Sequence, residues 1–217
     1  MLREKVRKLE DYKMMKEKRF NEMIASLLNG VVHSADLDGW KIRWESDGYC
    51  RHWCSQVRPD DFNDRFIAVC LFNPGSLSGD GRNLARDTTL RVLREVFAGT
   101  SFGCVVLNLF DRATPKPDEL FSVWHERDKP NSSLIYSCIP DEAIAGIILA
   151  YGDYEHHSDP ALATAIKTRI SALDAWRGKR PLIASPKNKS GTPKHVMRWQ
   201  IEKMKSVLFE RIAAFNA

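Results

Sequence analysis

Residues 66–75 read Phe66-Ile67-Ala68-Val69-Cys70-Leu71-Phe72-Asn73-Pro74-Gly75. An unbroken apolar run stops at a triplet that turns the chain. A strand with one wet face alternates apolar and polar residues; a strand apolar at every position is buried on both faces, as in a parallel sheet covered by helices. Three later segments have the same character: 102–109, 144–151 and 181–184. Helical patterns separate them. Leu90, Leu93, Val96 and Phe97 share one face of a helix over 88–97. A second helix spans 160–176, with Pro160 at its start and Asp159 as its cap. A third spans 194–215, where Met197, Ile201, Met204, Leu208, Ile212 and Phe215 keep three- and four-residue steps. Strand and helix in alternation predict an α/β domain: three α/β/α layers around a four-stranded, mainly parallel sheet.

Upstream of this region the pattern is different. Apolar residues at helical spacing predict a helix over 3–28, stopped by Asn29-Gly30. Residues 31–65 mix Trp40, Trp44 and Trp53 with charges and Asp-Gly pairs, which predicts short strands and turns. The expected organisation is an N-terminal helical extension over 1–48 and an α/β domain over 49–217.

The chain of 217 residues is long enough to bury a sizeable core. It has neither an apolar run long enough for a membrane span nor the apolar stretch of a signal peptide, so a cytoplasmic protein without membrane contact is expected. Cys50 and Cys54 flank His52, but no second pair completes a tetrahedral set, so neither metal nor cofactor is expected. The formal charge is +5. Nine of its cations fall between 177 and 205, where Glu202 is the sole acid. Lys187, Lys189, Lys194 and Arg198 of that cluster are candidate phosphate contacts, and the competing reading is a solvated surface.

Ligands of open parallel sheets bind beyond the carboxyl ends of the strands. Four polar segments follow the predicted strands. They are Asn73-Pro74-Gly75-Ser76, Asn108 with Asp111-Arg112-Ala113-Thr114-Pro115, Gly152-Asp153-Tyr154-Glu155 after Tyr151, and Ser185-Pro186-Lys187-Asn188 running on to His195. Their convergence on one edge predicts a site.

These segments resemble known families. Asn73-Pro74-Gly75-Ser76-Leu77-Ser78 resembles the first motif of mismatch-specific uracil/thymine-DNA glycosylases. Val105-Val106-Leu107-Asn108 resembles their strand ending in a base-reading Asn. Leu149-Ala150-Tyr151-Gly152 resembles their third strand, and Ser185-Pro186 their second motif, without the His that precedes Ser-Pro there. A closer resemblance covers about residues 50–200. Asp87-Thr88-Thr89-Leu90-Arg91, Arg112-Ala113-Thr114-Pro115 and Gly191-Thr192-Pro193-Lys194-His195 are similar to an uncharacterised family of bacterial and phage domains.

The glycosylase resemblance implies a base extruded into a pocket and cut from its sugar. It makes Asn73 the group that positions water; the competing reading is a turn former. Asn108 becomes the base reader, or else an Asn that ties down a loop. His195 becomes a donor to the departing base, or a surface residue at a helix start. Asp87 and Asp111 are the carboxylates that could stabilise the sugar cation or activate water. Asp87 could instead cap the following helix, and Asp111 pair with an arginine. Phe72, Pro74, Gly75, Ser76, Phe110, Tyr151 and Ser185 complete the expected substrate-binding set. The implied activity is a DNA N-glycosylase acting on a damaged or modified base, in duplex or single-stranded DNA, with a monomer favoured. The alternatives are a non-catalytic reader of DNA bases and a hydrolase of free nucleotides or nucleosides.

Overall fold

The computed structural model describes residues 11, 15, 31–46, 50–63, 65–75, 86–114, 116–124 and 143–215. Among the described residues, seven strands run in chain order: β1 (Val31–Leu37), β2 (Trp40–Ser46), β3 (Arg51–Val57), β4 (Phe66–Leu71), β5 (Gly103–Asn108), β6 (Ile144–Leu149) and β7 (Leu182–Ile183). Their helices are α1 (Thr88–Phe97), α2 (Pro117–Val123), α3 (Pro160–Arg177) and α4 (Ile201–Phe215). The expected helix over 3–28 lies outside the described residues, apart from Asp11 and Met15.

The run that opens at Phe66 forms β4, which is central and buried at every position. Its side chains alternate between two cores. Ile67, Val69 and Leu71 meet Leu90, Leu93 and Phe97 of α1 and Met204, Leu208 and Ile212 of α4. Phe66, Ala68 and Cys70 meet Leu120 of α2 and Leu162, Ile166 and Leu173 of α3. Helices therefore cover both faces, and a strand that sees apolar neighbours on both sides has no polar position to alternate with.

The expectation of a four-stranded, mainly parallel sheet is corrected. The sheet has seven strands in the order β1-β2-β3-β5-β4-β6-β7 and is mixed. The four expected strands are present, with β5, β4, β6 and β7 paired in parallel. Three antiparallel strands extend the sheet beyond β5, because β3 pairs with β5 through Cys54, Ser55 and Gln56. The tight β1–β2 connection carries positive φ at both Asp38 (52°) and Gly39 (78°), the backbone of a two-residue hairpin turn. On β2, Trp40, Ile42 and Trp44 alternate into the α1/α4 core. The boundary expected between 48 and 49 falls between β2 and β3, which are neighbours in this one sheet.

The helix expected over 194–215 is also corrected. A single 3-10 turn, Val196–Arg198, is followed by an extended Trp199, and α4 starts at Ile201. The indole of Trp199 is buried and donates to the carbonyl of Lys194 at 3.1 Å, so the chain turns aside to place that ring before the helix starts. Among the described residues, no helix is long and apolar enough to cross a membrane.

Candidate functional site

The segments after the parallel strands stay hydrogen-bonded past the strand ends. Leu109 and Phe110 donate to the carbonyls of Leu71 and Phe72, Thr114 donates to that of Pro74, and Ala150 donates to that of Cys70. The loop after β6 is tied to the loop after β7 by Gly152 N–H on the carbonyl of Pro193 at 3.1 Å. These bonds hold four loops along one edge and enclose a cavity of about 530 Å³ lined by Asn73, Gly75, Asp87, Thr89, Thr114, Tyr154, His195 and Arg198 among others.

Asn73 is half-buried, and its amide is fixed by neighbours. Nδ2 donates to the carbonyl of Pro74 at 3.0 Å and to Thr114 Oγ1 at 2.9 Å. Thr114 spends its own hydroxyl hydrogen on the carbonyl of Lys116, so it accepts from Asn73. Both amide hydrogens are thus taken, and what Asn73 can offer a ligand is the acceptor Oδ1.

Asp87 caps α1. Its Oδ1 accepts from Leu90 N–H at 2.8 Å, and a Cβ built on Gly75 would lie 4.0 Å from Oδ2. The same carboxylate therefore ends a helix and borders the cavity.

His195 is half-buried at the start of the 3-10 turn, and Nδ1 accepts from Met197 N–H at 3.3 Å. With its lone pair used at Nδ1, the neutral ring carries its hydrogen on Nε2. Burial pushes the imidazole below its usual pKa; Asp87 pulls it up, and Arg198 adds to the downward push. The net effect favours a neutral ring with one N–H donor. Arg198 is exposed and contributes the cationic side of the cavity.

Of the expected catalytic groups, Asn73, Asp87 and His195 share this cavity, and Asp111 does not line it. Asp111 instead acts electrostatically on the part-buried guanidinium of Arg169, which lies 4.3 Å over the Phe110 ring. Asn108 is buried at the end of β5 opposite Leu71, also off the cavity wall. Phe72 and Phe110 are core rings. Phe72 stacks at 4.2 Å on Tyr154, which does line the cavity. Pro74 is buried and acts through its carbonyl, and Ser76 lies outside the described residues. Tyr151 donates to Glu155 Oε1 at 3.0 Å, and Ser185 donates to the carbonyl of Leu149 at 2.7 Å. Both line a second cavity, with Lys187. Lys189 is exposed and Lys194 half-buried. The basic cluster is therefore divided, with Arg198 its one member on the first cavity's wall.

Thr89 and Thr114 were not in the expected set. The motifs Asp87-Thr88-Thr89 and Ala113-Thr114-Pro115 contain them, but nothing in their spacing marks them as wall residues. Among the described residues, no group of three or more His, Cys, Asp or Glu side chains is placed to hold a metal ion.

A carboxylate, an amide acceptor, a neutral imidazole donor and a cation lining one cavity can orient a water molecule and stabilise a departing anion. Comparison with curated proteins gives no match. Among solved structures, the chain is similar to a Bacteroides fragilis protein provisionally described as an acetyl xylan esterase, with 10% identity and a TM-score of 0.34. The alignment covers 90% of this chain, which spans 62% of that structure's length, and a likeness this distant says nothing of activity. Residues 50–197, which carry every wall residue named above except Arg198, match the model of a family described as a protein of unknown function (DUF1643), and the chain belongs to that family.

Proposed function

We propose that the protein hydrolyses the N-glycosidic bond of a nucleic-acid base. The observation that carries this reading is the meeting of Asn73, Asp87 and His195 on one cavity wall at the edge of the sheet. A volume of about 530 Å³ is within the range of small-molecule pockets and accepts a base with its sugar.

In this reading, water is held by Asn73 Oδ1 and the Asp87 carboxylate. Its oxygen bonds to the anomeric carbon as the bond from that carbon to the base nitrogen breaks. The bond's electron pair leaves with the base, and the water proton passes to Asp87 and then to solvent. His195 Nε2–H and Arg198 stabilise the departing anion. A neutral imidazole keeps its own proton, so the base is protonated from solvent. Tyr154, backed by Phe72, supplies an aromatic wall for the ring. The carboxylate of this reaction is Asp87 and not Asp111. We place the protein in the cytoplasm, where the buried thiols of Cys70 and Cys104 stay reduced.

A second reading, hydrolysis of a free nucleoside or nucleotide, is favoured by one observation: Lys187 and Lys189 stand away from the cavity wall. One experiment tests both. Purified protein is incubated with DNAs carrying natural and modified bases and with the matching nucleosides, and released base and abasic sites are measured. Release from DNA supports the first reading and release from nucleosides alone the second. No release from any member of the panel contradicts both.

A further inference from the structure

The second cavity, about 570 Å³, is lined from the same two loops as the first: Glu155 follows Tyr154 in the chain, and Pro193 precedes His195 by two residues. Gly152 N–H on the Pro193 carbonyl ties the two loops together; Tyr154 and His195 line the first cavity, Glu155 and Pro193 the second. The outer wall is a hairpin-like loop over 186–194. It is closed by the Lys187–Pro193 bridge and by Asn188 N–H on the Thr192 carbonyl at 2.8 Å. Asn188 Nδ2 also donates to Thr192 Oγ1 at 3.0 Å, so the loop is braced from inside.

Lys187, Ser190 and Thr192 line the cavity from this loop. The hydroxyls of Ser190 and Thr192 lie 2.9 Å apart and share one hydrogen bond. Two hydroxyls carry two hydrogens and that bond uses one, so one donor remains. A cation and a spare O–H donor lining one cavity from the same braced loop suit a phosphate. Leu149, Ile183 and Pro193 add apolar lining. Glu155 also lines the cavity, and its Oε1 accepts from Tyr151. The carboxylate disfavours a second phosphate inside this cavity, so the lining suits one phosphate of a strand with a neutral part of the nucleotide beside it.

We propose that the second cavity is a nucleotide subsite that seats the phosphate next to the target base of a polynucleotide, with Lys187 and the Ser190–Thr192 hydroxyl pair as its contacts. The glycosidic reading supplies the source of that phosphate; the anion site itself does not depend on it.

The test measures binding to the full chain of unmodified tetrathymidylate and of inorganic phosphate. Wild type, the double variant Lys187→Ala/Ser190→Ala, and Lys189→Ala (same loop, outside the cavity wall) are compared. Tetrathymidylate is expected to bind wild type at least tenfold more tightly than phosphate and to lose about tenfold in the double variant, but not in Lys189→Ala. The slope of log K against log salt should fall by about 0.7 in the double variant, the share of one phosphate contact on a single strand. An unchanged affinity and slope in the double variant overturn the proposal. Equal affinities for phosphate and tetrathymidylate overturn the polynucleotide assignment in favour of a small phosphorylated ligand. No base release is read, so the outcome stands whether or not cleavage of a glycosidic bond is found.

Discussion

Asp87 holds two positions at once, helix cap and cavity wall, and substitution separates them. Asn caps a helix about as well as Asp, so Asp87→Asn should keep its thermal midpoint while base release falls by about 100- to 10,000-fold, the usual weight of a general base. A calorimetric scan beside a single-turnover assay reads both. Asn73 makes a sharper case. Its amide donates to the Pro74 carbonyl and to Thr114, whose own hydroxyl hydrogen is on the Lys116 carbonyl. Asn73→Asp therefore brings a carboxylate against acceptors; it should lose activity and about 1–3 kcal/mol of stability, measured by urea unfolding. A gain in activity would mean that the amide's fixed orientation is immaterial. For His195, burial lowers the pKa below the usual value of about 6.5. As pH falls, the unfolded chain takes up this proton first. The stability due to neutral His195 is thus whole above that value and lost on acidification below it. An NMR titration should place the imidazole midpoint below that of a free histidine; a midpoint above it contradicts the burial account. Asn73 and Asp87 were legible as candidates because each follows or precedes an element whose apolar pattern is plain. The loss of Asp111 and Asn108 from the wall was not legible. A strand end names the edge of the sheet, but which way a side chain leaves it depends on pleat and loop packing.

At the scale of elements, the legible strands were those apolar on both faces. β4, β5 and β6 announce themselves because helices cover them above and below. β1 to β3 do not: β1 exposes Ser34 and Asp36, and β2 and β3 bury the polar residues Glu45, Ser55 and Gln56, so none of the three reads as an unbroken apolar run. Asp38-Gly39 followed by Trp40, Ile42 and Trp44 was the hairpin signal in that stretch. Packing between β3, β4 and β5 gives a direct test. A Cβ built on Gly103 would lie 2.7 Å from the Phe66 ring and 2.8 Å from Val57 Cγ1. Gly103→Ala should therefore cost about 1–3 kcal/mol, as overpacked cores do, in urea titration. A neutral result would mean that the two strands part easily there. Gly152 is a comparable position on the site side. Its φ is +88°, and a Cβ there would meet the Tyr154 ring at 2.9 Å, so the turn that presents Tyr154 to the cavity requires glycine.

The described residues are built on one sheet with a graded interior. β4 lies between β5 and β6 under helices on both faces, whereas β1 is an edge with Val31 61% exposed. Opening free energies should follow that gradient. Hydrogen exchange read by mass spectrometry should find β4 and β5 slowest and β1 fastest; uniform protection across the sheet contradicts it. The parallel half of the sheet delivers four loops to one edge, and the antiparallel half closes the β5 side of the core without contributing to the cavity wall. That division of labour makes the site local, and it narrows the central claim to one comparison. On the DNA from the modified-base panel that wild type cuts best, base release by wild type, Asp87→Asn and Asp111→Asn is measured under single-turnover conditions. The account predicts that Asp87→Asn loses at least about 100-fold while Asp111→Asn retains wild-type release. Loss in Asp111→Asn with full activity in Asp87→Asn would contradict it.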